Sequence, residues 1–457
     1  MIFDFLKYCL DRKDNMSNVV ADIGWQQLYF FASKQAILGL CFDGIERLGK
    51  EYPEELKLNP IGRELLMTWM GKAQQIRRQN MKVNAVASKL FSMLREDRLR
   101  CCILKGQGNA LMYPNPYSRT PGDIDVWIDA SRERIMEYAQ KKFELGDDIR
   151  LQHLETSLDG VPVELHFFPC SMNNPIYHAR LQKWFRRNAD LQCSNVVGLP
   201  DGAGDIAIPT SAFNVVYQLT HLYHHFFDEG IGMRQIIDYF LVVCDFYKVY
   251  QKSSNPSVSL SKGSSTSHPS PLSSEERDVT APSRCSEPLR SKDGGPSKVS
   301  PDCAGWDRLD AIGASKPSPG CAGWDRLDTT GDTSSVSCSS ASTALDVVQR
   351  ELKYLGLWKF AGAVMYVLKE VLGLSEDKMI VPVDEKRGKL LLAEILNGGN
   401  FGKHFTKYAG FTHQSMGKKY FLKIWRNMHF VRYYPAEALS EPIFRTWHFF
   451  WRMKNKK

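Results

Sequence analysis

The chain has 457 residues, of which 43% are apolar and 24% charged, and its formal net charge is +8. These proportions exclude wholesale disorder, and no run of 18 apolar residues predicts a membrane-spanning helix. The N-terminal sequence carries Asp4 and no basic segment before its apolar stretch, which is not typical of a secretory signal. The eleven cysteines show no disulfide-like spacing. We therefore expect a reducing, cytoplasmic compartment.

The first predicted elements are helices. Apolar residues recur at helical spacing through residues 1–50 and 60–95, which predicts a helical N-terminal region over residues 1–95. From residue 96 the pattern changes to short β-rich runs, with a helix over 131–143 capped by Ser131 and a hairpin at Asp159-Gly160. Residues 96–200 are therefore predicted to form a small mixed α/β core.

The rest of the chain is helical in pattern apart from one insert. Residues 201–250 and 345–457 predict a single C-terminal helical domain. Between them, residues 251–344 are rich in Ser and Pro and contain a repeat that pairs Ser297–Asp310 with Ser315–Asp328. Such a segment buries too little apolar surface to offset its ordering entropy, so we expect disorder. We favour a duplicated low-complexity insertion over a binding peptide.

Acidic residues on two β-rich runs are the strongest functional signal. Asp123 and Asp125 are two residues apart in Gly-Asp-Ile-Asp-Val-Trp, so on a strand they project from one face. Glu164 and His166 share one face of the later run Val-Pro-Val-Glu-Leu-His. If the two runs are neighbours in one sheet, the three carboxylates can hold Mg²⁺ ions for phosphoryl transfer. His166 is predicted to orient Glu164 or to act as a general base, or to be a buried structural residue.

A glycine turn precedes the acidic run. Lys105, Gly106, Gln107 and Gly108 follow an apolar strand and precede a helical patch. Glycines let backbone N–H groups approach a phosphate, and Lys105 and Arg119 supply positive charge for a triphosphate. The sequence lacks the Gly-Lys-Ser/Thr of a Walker A loop. The order of glycine turn, Asp-x-Asp strand and acid-bearing strand favours catalytic metal binding over a solvated strand end.

These residues give the chain a resemblance to a known family. The string comprises Lys105-Gly106, Tyr113-Pro114, Arg119, Gly122-Asp-Ile-Asp-Val-Trp, His153 and Glu164-Leu-His166. It resembles the uncharacterised bacterial nucleotidyltransferase family of the polymerase β-like nucleotidyltransferase superfamily. The resemblance covers nearly everything except the insert. It implies an α+β fold with a small mixed-sheet nucleotidyltransferase core and helical additions, to which the composition adds a disordered insert. It also implies a nucleoside triphosphate and Mg²⁺ (or Mn²⁺) as ligands, and it leaves the acceptor open.

Two predicted helices beyond the core carry further candidates. His221, His224 and His225 lie on one helix face, and we favour a cleft-lining helix over a zinc site because no Glu completes a His-Glu-x-x-His pattern. His221 is a candidate contact for nucleotide or acceptor. Arg234 and Asp238 stand four residues apart on the next helix. The spacing predicts a surface ion pair, whereas the family resemblance implies a triphosphate contact by Arg234.

The C-terminal segment is both basic and aromatic. Residues 401–457 hold 12 of the 59 Lys and Arg residues and only two acidic residues. Basic and aromatic residues together suit single-stranded nucleic acid or an anionic membrane surface. We favour an aromatic core with a solvated basic face, because the aromatic residues are too dense to be all exposed.

The leading functional hypothesis is a metal-dependent nucleotidyltransferase. Asp123, Asp125 and Glu164 would hold the metal, and the backbone of residues 106–108 with Lys105 would bind the phosphates. An acceptor hydroxyl would attack the α-phosphorus, and pyrophosphate would leave. Two alternatives stay open. One is a nucleotide-binding regulatory protein without turnover, which Gln107 in the glycine turn favours. The other is an enzyme that adds nucleotides to RNA ends, which would show a steep salt dependence.

Overall fold

The computed structural model describes residues 1–13, 15–145, 150–252, 341–403 and 416–455. These residues belong to one compact unit. The predicted insert with its repeat lies outside the described residues except at its two ends. There, residues 251–252 and 341–344 are helical, so the helical pattern extends a few residues further than expected on both sides.

Helices dominate the described part of the chain. They are α1 Ile2–Cys9, α2 Ser17–Val20, α3 Trp25–Lys34, α4 Leu38–Glu51, α5 Pro53–Leu58, α6 Arg63–Glu96, α7 Gly106–Ala110, α8 Arg132–Lys142, α9 Pro175–Ser194, α10 Ser211–Asp228, α11 Met233–Lys252, α12 Ala341–Tyr354, α13 Trp358–Leu372, α14 Glu385–Gly398, α15 Met416–Met428 and α16 Pro435–Asn455. The strands are β1 Cys101–Leu104, β2 Ile124–Ile128, β3 His153–Leu158, β4 Val161–His166, β5 Val196–Gly198 and β6 Asp205–Ala207. No helix among the described residues is long and apolar enough to cross a membrane.

Local chemistry explains several element ends. The Ser131 hydroxyl accepts a hydrogen bond of 3.3 Å from the Arg134 N–H at the start of α8, as the sequence predicts. Asp159 and Gly160 both have positive φ, 50° and 73°, in the two-residue turn between β3 and β4. Type I′ turns need exactly this pair of left-handed residues, so the predicted hairpin is confirmed.

The central sheet has four strands in the order β1-β2-β4-β3. β1 is antiparallel to β2, β2 is parallel to β4, and β4 is antiparallel to β3. The parallel pair joins the two acid-bearing runs directly, so the neighbour relation on which the carboxylate hypothesis depends is confirmed. The α+β fold class with a small mixed sheet is confirmed with it.

Both faces of this sheet are covered. Ile124, Val126 and Ile128 point into an apolar layer with α6, as the alternation of β2 predicts. The opposite face carries Trp127, whose ring stacks on Phe213 of α10 at 6.3 Å between centroids. α6 and α10 therefore enclose the sheet, and polar residues on the α10 side lie inside the protein.

The C-terminal helices pack less completely than the sequence suggests. Phe430 and Tyr434 are buried against α10 as expected. Large apolar side chains elsewhere on α15 and α16 are exposed: Phe421, Leu439, Ile443, Phe449, Phe450 and Met453. The expectation that the aromatic residues form a core is therefore wrong for much of this segment. The buried Glu437 carboxylate anchors α16 instead, because it accepts a hydrogen bond of 2.6 Å from the N–H of Asn173.

Candidate functional site

The sheet register places two carboxylates side by side. Asp125 on β2 is the register partner of Glu164 on β4, so both side chains leave the sheet on the α10 side. Asp125 is buried and Glu164 is half-buried. A one-residue slip would send both carboxylates into the apolar layer on the other face, so the hydrophobic pattern of β2 and β4 fixes this pairing.

His166 lies between these two carboxylates. Its Nε2 is 3.1 Å from Asp125 Oδ1 and 3.1 Å from Glu164 Oε2. Burial alone would lower the pKa of His166, but the hydrogen bonds with Asp125 and Glu164 raise it to about 9. The imidazolium therefore neutralises part of the acidic cluster. Two of the roles predicted for His166 agree with this geometry: orientation of Glu164, and that of a buried structural residue.

Asp123 stands at the mouth of the site. It immediately precedes β2 and is exposed, whereas Asp125 is buried. The charge of Asp125, together with partial burial and the charge of Glu164, raises the pKa of Asp123 to about 6. Burial would raise the pKa of Asp125 as well, but the charge of Lys105 and the hydrogen bond with His166 hold it below its usual range. Asp125 is thus an inner carboxylate with cationic partners, whereas Asp123 is an outer one on which repulsion by the other carboxylates dominates.

Lys105 connects the glycine turn to the acidic cluster. Its backbone has φ 52° and ψ −131°, an uncommon conformation for a residue other than glycine, and it turns the chain from β1 into α7. The Lys105 ammonium is 3.1 Å from Asp125 Oδ1 and 3.0 Å from His221 Nε2. His221 accepts this contact as a neutral ring, because burial and the charge of Lys105 lower its pKa.

A ladder of rings brings His221 to that position. Phe213, Tyr217 and His221 follow one another at four-residue spacing along α10, with ring centroids 6.1 and 6.2 Å apart. Phe213 stacks on Trp127 at the start of the ladder. α10 therefore places His221 in contact with Lys105, beside the acidic cluster.

The rest of the glycine turn differs in detail from the prediction. The Gln107 amide donates a hydrogen bond to the Asn84 side chain on α6, and both residues are buried. A Cβ on Gly108 would lie 2.9 Å from Ile208, so this glycine permits close packing. A Cβ on Gly106 would meet only the Asp123 carbonyl oxygen at 3.9 Å. Gly106 is thus the position of the turn that leaves space beside the backbone of Asp123.

Arg119, one of the two arginines predicted to bind phosphate, is engaged elsewhere. Arg119 donates to both carboxylate oxygens of Asp238, at 2.9 and 2.8 Å, and the Tyr113 hydroxyl donates to the same carboxylate at 2.7 Å. All three residues are buried. Asp238 is therefore not the partner of a surface ion pair with Arg234, and that alternative is wrong.

Arg234 lies beside the loop that leads to Asp123. Its guanidinium donates to the Thr120 carbonyl at 3.0 Å and lies 5.5 Å from the centroid of the Phe401 ring. Phe401 belongs to the Gly398–Gly402 segment, which forms a tight turn after α14. A Cβ on Gly232 would meet the backbone of Asn400 at 2.7 Å, so this turn packs closely on the start of α11. Among the described residues, no carboxylate lies within salt-bridge distance of the Arg234 guanidinium.

One histidine at the site has no assigned partner. His153 on β3 is the register partner of His166 and is buried. Its Nδ1 is 3.3 Å from Glu164 Oε2, yet neither ring nitrogen has a hydrogen-bond partner in the described part of the chain. Burial and the charge of His166 lower the pKa of His153 to about 4, so the ring is neutral. The sequence placed His153 only within the family resemblance, although the two-residue turn at Asp159-Gly160 fixes the register that pairs it with His166.

The three histidines of α10 behave as packing residues. The rings of His221 and His225 meet edge to face at 4.3 Å, and His225 meets Phe401 at 5.2 Å. Burial lowers the pKa of His224 and takes that of His225 to about 3. Among the described residues, these three do not form a group with metal-ligand spacing. The preference for packing over a zinc site therefore agrees with the structure.

Comparison with known proteins gives a family and a distant structural likeness. Residues 21–249, half of the chain, match the sequence model of a family described as uncharacterised nucleotidyltransferase. No curated protein matches the chain. Among solved structures, the chain is similar to an antigenic nucleotidyltransferase-like protein from Paracoccidioides brasiliensis, with 18% identity and a TM-score of 0.25 over 35% of this chain and 75% of that one. The range matched by the family includes every residue of the acidic cluster.

Proposed function

Because the chain belongs to the uncharacterised nucleotidyltransferase family, we propose that it transfers a nucleoside monophosphate from a nucleoside triphosphate to a hydroxyl acceptor and releases pyrophosphate. The observation that carries this proposal is the register pairing of Asp125 with Glu164, with Asp123 at the mouth and Lys105 in contact with Asp125. We also place the family in the polymerase β-like superfamily on the order of these residues along the chain.

Asp123, Asp125 and Glu164 are the proposed ligands of Mg²⁺ or Mn²⁺. Their oxygen donors suit these hard cations, and the repulsion that raises the pKa of Asp123 is what a divalent cation would relieve. The bound cation would neutralise charge on the triphosphate and lower the pKa of the acceptor hydroxyl. The donor chemistry of these three residues therefore suits the metal that the family resemblance implies.

The turn at Lys105 is the proposed binding site for the β- and γ-phosphates. The Lys105 ammonium already lies at the acidic cluster, and Gly106 leaves room for a phosphate next to its backbone. The buried side chain of Gln107 leaves this approach open, because it points at Asn84. Arg119 is proposed to act indirectly, by holding the loop before Asp123 through its pair with Asp238. Arg234 is the proposed additional phosphate contact.

A transfer assay with an inactive variant tests the proposal. Labelled nucleoside triphosphates are incubated with cell extract and the purified chain, and pyrophosphate release is measured with the label that enters product. We expect Asp125→Asn to abolish both signals. The control is Asp190→Asn, which changes a carboxylate on the exposed surface of α9. Transfer by Asp125→Asn at the wild-type rate would refute the mechanism.

A second candidate is an enzyme that extends RNA ends. The exposed Phe421, Phe449 and Phe450 on two basic helices favour it, because bases stack on exposed aromatic rings. It predicts RNA binding that weakens steeply as salt rises, whereas a small acceptor predicts no such dependence. Nucleotide binding without pyrophosphate release would instead support the regulatory alternative.

A further inference from the structure

We propose that His153, Glu164 and His166 form a binding site for a borderline transition-metal ion such as Zn²⁺ or Co²⁺, beside the oxygen ligands Asp123 and Asp125. The inference deepens the proposed function, since Glu164 belongs to both ligand sets. It adds two nitrogen donors to a site for which the sequence predicts oxygen donors alone.

The spacing of the three side chains fits a metal ion. One ligand atom from each residue can be chosen so that all three lie within 4.8 Å of one another. Two ligands bound tetrahedrally to Zn²⁺ at about 2.0–2.1 Å lie about 3.3–3.4 Å apart. The Glu164 carboxylate oxygen is 3.1 Å from His166 Nε2 and 3.3 Å from His153 Nδ1. Both distances between donor atoms are close to the value expected for tetrahedral coordination.

A hydrogen bond accounts for only one of these two contacts. A proton on His166 Nε2 explains its distances to Asp125 and Glu164. His153 differs, because both of its ring nitrogens are buried without a hydrogen-bond partner in the described structure. Burying an unsatisfied polar group costs about 1–3 kcal/mol, so such groups require an explanation. A metal ion bound to His153 Nδ1 would give this nitrogen a partner and would explain its short distance to Glu164 Oε2.

Polar groups behind the histidines match the usual surroundings of a metal site. Metal-bound histidines commonly direct their second ring nitrogen at a carboxylate or another polar group. His153 Nε2 is 3.8 Å from the Glu155 carboxylate, and His166 Nδ1 is 3.3 Å from the Gln152 side chain. Each ring thus has one nitrogen at the cluster and the other facing a polar residue of β3 or the segment before it.

The donor set predicts the choice of metal. Two imidazoles and one carboxylate suit Zn²⁺, Co²⁺ and neighbouring ions, whereas Mg²⁺ prefers oxygen ligands and retains its waters. The site therefore gives the cleft two positions of different chemistry, joined by Glu164. An ion at the nitrogen position takes the place of the proton on His166 and competes with its hydrogen bond to Asp125.

Metal titration of the full chain without nucleotide tests this site. Co²⁺ is the probe, followed by its visible absorption, and Zn²⁺ competes it away. We expect His153→Ala to weaken Co²⁺ binding by more than about 100-fold. We expect the same of His153→Gln, which fills more of the histidine volume than Ala does. His429→Gln, at an exposed histidine, serves as the matched control.

The outcomes separate this inference from the proposed function. Saturable Co²⁺ absorption that depends on His153 and resists excess Mg²⁺ supports the site, whether or not the chain transfers nucleotides. Equal Co²⁺ affinity of wild type and both folded His153 variants overturns it, even if nucleotide transfer with Mg²⁺ is demonstrated. Failure of the wild-type chain to bind Co²⁺ or Zn²⁺ at micromolar concentrations overturns it as well. Circular dichroism spectra identical to wild type establish that the variants are folded.

Discussion

Replacing Asp238 with Asn removes the counter-charge of a buried guanidinium. Asp238 and Arg119 are each 5% exposed, and two hydrogen bonds of 2.9 and 2.8 Å join them. Tyr113 donates a third hydrogen bond to the same carboxylate. In Asp238→Asn the Arg119 charge stays buried, and one of its two acceptors becomes an amide nitrogen that cannot accept.

The expected loss of stability is large for a change of one atom. Removing one partner of a buried ion pair costs about 3–5 kcal/mol. The remaining amide oxygen still accepts one hydrogen bond, so we expect the lower end, about 3 kcal/mol. With a urea slope of about 3 kcal/mol/M, the unfolding midpoint falls by about 1 M. The control Asp190→Asn breaks an ion pair whose side chains are 60% and 83% exposed, and should cost less than about 1 kcal/mol.

Urea unfolding followed by far-ultraviolet circular dichroism measures both variants. A double variant, Arg119→Met with Asp238→Asn, removes the buried charge along with its partner. We expect it to lose clearly less stability than the sum of the two single variants, because the sites are in contact. If Asp238→Asn unfolds at the same urea concentration as Asp190→Asn, the assignment of this pair as a buried structural anchor is wrong.

Three further results are expected. Gly39→Ala should destabilise the fold by about 1–3 kcal/mol in urea unfolding, because the added Cβ would clash with the backbone carbonyl oxygen of Ser118. The control is Gly49→Ala on the same helix, whose Cβ would meet nothing within 4 Å and which should be neutral or stabilising. Burial raises the pKa of Glu437 to about 7, above its unfolded value. The protonated carboxyl therefore contributes stability that is present below about pH 4.5 and is lost as pH rises through 7. Glu437→Gln should remove this part of the pH dependence, on the order of 2–3 kcal/mol, and an unchanged stability profile in the variant would contradict the prediction. Lys105→Met should weaken nucleoside triphosphate binding in equilibrium dialysis by about 10–100-fold, while Lys89→Met, at a half-exposed ion pair, should leave it within twofold.

Short-range chemistry made much of the fold predictable. Apolar residues at helical spacing located α6, and Asp159-Gly160 located the β3–β4 hairpin through its left-handed turn. The alternation of apolar and polar residues along β2 and β4 placed Asp125 and Glu164 on the polar faces of their strands. The C-terminal aromatic residues were harder, because composition shows how many rings are present and gives no account of which neighbours cover them.

The candidate site was predictable in its carboxylates and much less so in its cations. Lys105 and Arg119 carried identical expectations from the sequence, yet one lies at Asp125 and the other is held by Asp238. Arg119 and Asp238 are more than a hundred residues apart, so their pairing depends on how α11 packs against the core. His153 differs, because the two-residue turn at Asp159-Gly160 fixes the β3–β4 register and so makes its position beside His166 predictable from the sequence.

The sequence by itself determined the elements, the acid-bearing strand faces and the family resemblance, since these depend on residues close together in the chain. Tertiary structure alone decided that β2 and β4 are parallel neighbours, that His166 lies between their carboxylates and that α10 closes the cleft with His221 at Lys105. The physical reason is that charge pairing and burial depend on distances in space. Those distances are set by how α10 and α11 pack against the sheet.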